Sequence, residues 1–319
     1  MKTSTKIVLA VLSGIVVALG LLMTLPSAGK WLYQNAAPAE ASLYGFHTES
    51  IKAGDVTFKA YRGGMATAQA PREAVVLIHG YSADRQVWPR FAKHLVDRYE
   101  VIIPDLAGHG DTGFVPGLDY SGPAQARRVI AMLDSLGIQK AHFMGNSMGG
   151  FISGHLALAY PERTLSITVM DPAGVTSPEP SDMGKMLAQG KNPFETRSAE
   201  DFKVFYAMTM AKPPFLPPSV LAAVAEDYQR RRPELAEIFT WINNRDALDA
   251  ELGRIQTPTL VLWGDQDRLI HVSAAPVWTK GIAGAQMHIF KDIGHMPMVE
   301  VPEQTAEVVN AFLAGLAKK

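Results

Sequence analysis

The chain contains no cysteine. A disulfide framework, a thiolate metal site, a cysteine nucleophile and a lipid-modified cysteine are therefore excluded. The compartment is not fixed by this, because a periplasmic protein can lack disulfides. Neither sign of charge is in excess: 30 Lys and Arg against 31 Asp and Glu leave a formal net charge of −1. A nucleic-acid binder normally carries a basic excess, so that class is set aside. Internal repeats and low-complexity tracts are absent. No cluster has metal-ligand spacing, and neither metal nor cofactor is expected. Charged residues are only 19 % of the chain and hydrophobic ones 47 %, the composition of a folded core rather than of a disordered segment. The 319 residues allow about two domains, or one large α/β domain with an insertion.

One apolar run is long enough to cross a bilayer. Ile7–Leu25 carries no charge, and residues 1–6 before it are basic. As a helix its 19 residues span about 28 Å, close to the hydrocarbon core of about 30 Å. A cleaved signal peptide has a shorter apolar stretch followed closely by small residues, so residues 7–25 read as a signal anchor. Lys2 and Lys6 keep the N-terminus cytoplasmic by the positive-inside rule. The rest is then expected on the periplasmic side of the inner membrane. Ala10, Gly14 and Ala18 put small residues on one helix face and make a homodimer through this span an expectation. Residues 26–42, ending in Gln34–Ser42 (QNAAPAEAS), read as a juxtamembrane linker.

Beyond the linker, apolar runs of strand length alternate with helical patterns. The runs are residues 73–80, 99–105, 140–146, 165–171 and 257–264. Continuous apolar runs suit strands buried on both faces of a parallel sheet. The helical candidates are 87–97, 121–136, 148–160 and 273–281. This alternation predicts a doubly wound α/β core over 43–175 and 246–319. A leading antiparallel pair is expected at 44–51 and 56–61. Residues 176–245 break the pattern with helical pieces at 198–210, 219–230 and 234–243, and read as a helical cap inserted between two core strands. Pro213–Pro218 (PPFLPP) separates two of the pieces, since proline cannot continue a helix.

Gly145-Asn146-Ser147-Met148-Gly149 is G-x-S-x-G between an expected strand and an expected helix. That context marks a sharp elbow presenting the serine hydroxyl at the carboxyl end of the sheet. The helix N-terminus then aims backbone N–H groups at developing negative charge. A serine nucleophile needs a base, and the base an orienting carboxylate. Chain order Ser, acid, His selects among the downstream histidines. His295, in the loop Asp292–Met296 before the last helix, is the expected base. For the acid, Asp267, Asp265 and Asp171 all stand at strand ends. Asp267 is favoured over Asp265, which sits at the turn itself, where Asp residues usually satisfy backbone N–H groups. The oxyanion donors are expected to be the backbone N–H groups of Met148 and of Tyr81, in the loop after the strand 73–80. His79 reads as structural. So does the glycine-rich turn Asp105–Gly110, with no Walker lysine to make it a phosphate loop.

The motifs HGYS, PDLAGHG, GNSMGG, WGDQD and DIGHMP, in this order and spacing, resemble the α/β-hydrolase fold family over about residues 44–317. Within it the chain looks most similar to membrane-anchored lipid hydrolases: the monoacylglycerol lipases with one N-terminal anchor, and bacterial membrane-bound phospholipase A1 and lipases. The resemblance implies that the acid is the second Asp of W-G-x-x-D, here Asp267. Asp111-Thr112 departs from the serine many relatives carry there. The implied activity is hydrolysis of carboxylic esters of glycerolipids (phospholipid, lysophospholipid or monoacylglycerol) through an acyl-enzyme on Ser147. The alternative is a periplasmic or secreted carboxylesterase or thioesterase for small soluble esters. Phe194, Phe205, Met208, Phe215 and Leu216 make the cap rich in large apolar side chains and are expected to line an acyl-binding pocket.

Overall fold

The computed structural model describes residue 20 and residues 24–67, 70–243 and 246–316. The apolar run Ile7–Leu25 and its face of Ala10, Gly14 and Ala18 fall almost wholly outside these. Among the described residues no helix is long and apolar enough to cross a membrane.

The described chain opens on helix α1 (Pro26–Leu43), followed by β1 (His47–Ala53), β2 (Val56–Gly63), β3 (Ala74–Ile78), the short α2 (Pro89–Ala92) and β4 (Glu100–Pro104). Then come α3 (Gly122–Ser135), β5 (Ala141–Asn146), α4 (Met148–Ala159) and β6 (Thr164–Met170). Three helices follow in the insert: α5 (Asp182–Ala188), α6 (Ala199–Thr209) and α7 (Pro218–Ile242). The core resumes with β7 (Thr259–Gly264), α8 (Ala275–Gly281), β8 (Gln286–Phe290), α9 (Pro297–Glu300) and α10 (Pro302–Leu316). The eight strands form one sheet in the order β1-β2-β4-β3-β5-β6-β7-β8. β2 runs antiparallel to both its neighbours; every other pairing is parallel.

All five residues of β3 and all six of β5 and β7 are buried. Consecutive residues feed opposite faces, as the strand period of two requires. Val76, Phe143 and Val261 join one cluster, with Ile152 of α4 and Trp278 of α8. Val75, Met144 and Leu262 join the other, with Phe91 of α2 and Val309 of α10. Ser121, Ser181 and Ser198 cap α3, α5 and α6 through their hydroxyls, each satisfying one orphan N–H.

Three segments differ from the sequence reading. Gln34–Ser42 is not an extended linker but the second half of α1. Its alanines and Glu40 are good helix formers, and Pro38 is tolerated inside it. Packing does the rest. Ala41 is buried, and α1 lies so close on α7 that a Cβ on Gly29 would fall 2.2 Å from Ser219 O. The pieces 219–230 and 234–243 are one 25-residue helix, α7, with Pro233 inside it. An interior proline costs about 3 kcal/mol. Burial of Leu235 and Ile238, at about 1.5–3 kcal/mol each, offsets it. Residues 87–97 hold only the four-residue α2, continued by tighter turns such as Leu95 N–H to Ala92 O at 2.9 Å.

Candidate active site

The turn from β5 into α4 places Ser147 at φ 56° and ψ −117°. A non-glycine residue with left-handed φ is strained by about 1–3 kcal/mol and persists only where its surroundings impose it. They do so through glycine. A Cβ on Gly145 would lie 2.0 Å from Gly149 O, and one on Gly149 would lie 2.1 Å from Ile78 O. The strand and helix therefore approach to backbone contact with Ser147 at the apex. Ser147 N–H donates to Met170 O (2.9 Å), and Ser147 O accepts from Ala173 N–H (3.1 Å).

His295 follows β8, in the loop before α9. Its Nδ1 lies 2.7 Å from Asp267 Oδ2, and both residues are buried. The other carboxylate oxygen, Oδ1, accepts from Leu269 N–H (2.8 Å) and Ile270 N–H (3.0 Å). These bonds hold the carboxylate in place beside the imidazole. Of the three acids weighed from sequence, it is Asp267 that contacts His295. Asp265 accepts from Asp292 N–H (2.7 Å) and braces the turn. Asp171 stands behind the pair: among the described residues Asp171, Asp267 and His295 form a cluster whose ligating atoms all lie within 4.8 Å of one another. Asp267 Oδ2 and His295 Nδ1 engage each other, and Asp171 Oδ1 accepts from Gly264 N–H (2.9 Å). Only Asp267 and His295 are hydrogen-bonded to each other; Asp171 lies beside them, tied to the strand β7.

Asn146 stands at a variable position of G-x-S-x-G, which gives the side chain no role of its own. Its Nδ2 donates to His295 O (2.8 Å) and Met170 O (3.1 Å), tying the residue before the nucleophile to the histidine loop. The cap also reaches this loop: His295 N–H donates to Thr209 O (3.1 Å). Glu300 accepts from Gly294 N–H (2.9 Å) with one oxygen and from Lys212 N–H (2.7 Å) with the other.

The loop after β3 passes directly over the serine; a Cβ on Gly80 would lie 3.1 Å from Ser147 Cβ. Tyr81 is buried there, and its hydroxyl donates to Leu235 O of α7 (2.6 Å). The backbone of Met148 begins α4 beside it. His79 is fully buried, with Nδ1 bonded to Gly80 O (2.8 Å) and Nε2 accepting from Leu106 N–H (3.0 Å). Burial pushes its pKa down to about 4. That leaves a neutral imidazole bridging two turns. The turn after β4 spells G-x-G-x-x-G over Gly108–Gly113, but it holds only a single 3-10 turn, Gly110–Thr112, and the next helix begins at Gly122, so it does not open the helix a phosphate loop requires.

Ser147 and His295 open into one cavity of about 360 Å³. Phe194, Phe205 and Leu216 line it, as expected from sequence. Two expected lining residues do not. Met208 is buried in the core without reaching the cavity, and Phe215 is 76 % exposed and faces outward. Helical and turn geometry, invisible in composition, decides which apolar side chain points inward. A wall was also missed: Leu32, Tyr33, Ala36 and Ala37 of α1 line the cavity. Its aromatic side runs from Tyr81 to Phe194 (centroids 4.7 Å apart) and on to Phe205 (4.8 Å).

An elbow serine and a buried histidine–carboxylate pair at one mouth of an apolar cavity define a serine ester hydrolase. The alpha/beta hydrolase fold model matches residues 73–302, and the chain belongs to that family. It is 34 % identical to Lipase 1 of Psychrobacter immobilis over 266 residues, 82 % of each chain. It is 28 % identical to monoacylglycerol lipase abhd6-A of Xenopus laevis, covering 77 % of this chain and 76 % of that one. Among solved structures it is similar to a membrane phospholipase A described as a bacterial virulence factor. The TM-score is 0.86 at 32 % identity, covering 99 % of this chain and 100 % of that chain.

Proposed function

We propose that this protein is a membrane-anchored lipase of the inner membrane that cleaves carboxylic esters of glycerolipids, with Ser147 as nucleophile, His295 as general base and Asp267 as its orienting acid. The observation that carries the reading is the 2.7 Å contact of His295 with Asp267 at a cavity that Ser147 shares and that is walled mostly by apolar side chains. Ser147 Oγ attacks the ester carbonyl while His295 Nε2 takes its proton. Asp267 holds the ring by Nδ1–H and stabilises the imidazolium. The backbone N–H groups of Met148 and Tyr81 receive the developing oxyanion. His295 then returns the proton to the leaving alcohol, and water repeats the sequence on the acyl-enzyme.

Three things favour a lipid substrate over a small soluble ester. The wall from Phe194, Phe205 and Leu216 suits an acyl chain. Residues 7–25 have the length and composition of an anchor. The relatives include lipases and a membrane phospholipase A. The test is fatty-acid release by detergent-extracted protein from mixed micelles of phospholipid, lysophospholipid and monoacylglycerol, with Ser147→Ala alongside. Release that vanishes in the variant is expected, and the substrate consumed names the preference. No release from any of the three, with short-chain esters still cleaved, would replace this reading by the soluble esterase.

A further inference from the structure

Asp171 is a carboxyl group that the proposed mechanism does not use. It directly follows β6 and is fully buried. Its backbone takes a left-handed φ of 47°, and the residues after it pack against the elbow. Ala173 N–H bonds Ser147 O, and a Cβ on Gly150 would lie 2.6 Å from Pro172 Cβ. Asp171 Oδ1 accepts from Gly264 N–H at 2.9 Å, in the strand that delivers Asp267. Asp171 Oδ2 is buried without a hydrogen-bond partner in this structure, and the Asp171–Asp267–His295 atoms lie within 4.8 Å of one another. A buried polar atom left unpaired is costly, so a group placed here calls for an explanation. Two carboxylates this close in a dry site cannot both ionise; such pairs hold one proton between them. A proton on Asp171 Oδ2 finds its acceptor in Asp267, since a carboxylate has about four lone-pair sites and the contacts to Leu269, Ile270 and His295 occupy three.

We propose that Asp171 is a positioning residue for the catalytic acid: Asp171 and Asp267 share one proton and one negative charge, and the Asp171 hydroxyl holds the Asp267 carboxylate against His295 Nδ1. The proposal rests on the serine-hydrolase reading above. The other charged group facing Asp171 is also acidic, Glu300. Desolvation first, then the Asp267 charge, pushes the Asp171 carboxyl well above the usual range. Asp171 touches no reacting atom; it acts through Asp267.

The test compares Asp171→Asn and Asp171→Ala on a soluble short-chain ester, with Ser147→Ala as control. Asn keeps a donor toward Asp267 and an acceptor for Gly264 N–H, and leaves the pair's charge at −1. It is expected to retain kcat within about threefold and to keep the acid limb of the kcat/KM profile where it is. Ala removes the donor, and a hydrogen bond to a charged group is worth enough for a loss of about tenfold or more in kcat, with KM changed less. Were Asp171 instead ionised, Asn would remove a charge beside His295 and move the acid limb down by roughly one pH unit. That shift, or Ala at wild-type kcat, or Asn as impaired as Ala, would overturn the proposal. Activity surviving in Ser147→Ala would instead sink the underlying reading.

Discussion

Asn146 offers the sharpest test of how the site is held together. The side chain is only 2 % exposed. Its amide donates to two carbonyls on different elements, His295 O and Met170 O. Because carbonyls only accept, the nitrogen must face them, which settles the orientation of the amide. In Asn146→Ala, Met170 O still receives Ser147 N–H at 2.9 Å, whereas His295 O loses this donor. An orphaned buried acceptor costs about 1–3 kcal/mol and a lost second bond about 1 kcal/mol, so the variant should be destabilised by about 2–4 kcal/mol. At about 2–4 °C per kcal/mol, the midpoint should fall by roughly 4–16 °C. The freed carbonyl belongs to the proposed base itself, and a misplacement of about 1 Å at the reacting groups costs about 10²-fold. Thermal unfolding and kcat on a soluble ester, measured well below the midpoint, read both effects. Asn146→Asp should be worse on both, because it sets a carboxylate oxygen against two carbonyl oxygens. A variant that melts with wild type and keeps kcat within about twofold would refute the tether.

The close approach of α1 to α7 gives a second prediction. Gly29→Leu would place its Cβ 2.2 Å from Ser219 O, so α1 must lift off and the wall carrying Leu32, Ala36 and Ala37 must move. Hydrolysis of long-chain esters should fall relative to short-chain ones; an unchanged ratio counts against α1 as a wall. His79 gives a third, in pH. Above about pH 6.5 its imidazole is neutral folded and unfolded, and contributes nothing to the pH dependence. Below that the unfolded chain takes up a proton that the folded state, with its pKa lowered to about 4, refuses. Stability should therefore drop by about 3 kcal/mol between pH 6.5 and 4 from this residue alone. His79→Gln should melt lower at pH 7.5 but lose less on acidification, and parallel curves for the two proteins would exclude the assignment.

Much of the fold was legible because its signals are local. Each run placed at 73–80, 99–105, 140–146, 165–171 and 257–264 matches a strand to within two residues at either end, since only strands buried on both faces read as unbroken Val, Ile and Leu. The elbow was legible for a different reason: backbone contact at Gly145 and Gly149 admits nothing but glycine, so the geometry writes itself into the letters. Asn146, Thr209 and Glu300 were not legible. They act through backbone atoms of residues far along the chain, and a carbonyl oxygen looks the same in every sequence. For the proposed acid, the sequence favoured Asp267 among three candidates but did not show what holds it in place. Asp265, Asp267 and Asp171 all end strands of one sheet, and which of them meets His295 depends on a turn in which Leu269 and Ile270 hold the Asp267 carboxylate.

The misreading of residues 26–42 bears most on function. Their alanines and proline looked like the composition of a linker, because a helix that packs through Gly29 and Ala41 shows no stripe of large apolar residues. Small side chains are what lets α1 lie against α7 and still leave a cavity behind it. Leu32 is seven helical residues beyond Leu25, about 10 Å at 1.5 Å per residue, and it already lines the cavity shared by Ser147. On the reading that Ile7–Leu25 lies in the bilayer, the segment leaving the membrane is also a wall of the binding site. The anchor then fixes where the cavity stands relative to the lipid surface, as well as holding the enzyme there. A soluble esterase would have no use for that arrangement. A lipase would, since its substrate cannot cross water without exposing the apolar surface that this cavity is lined to receive.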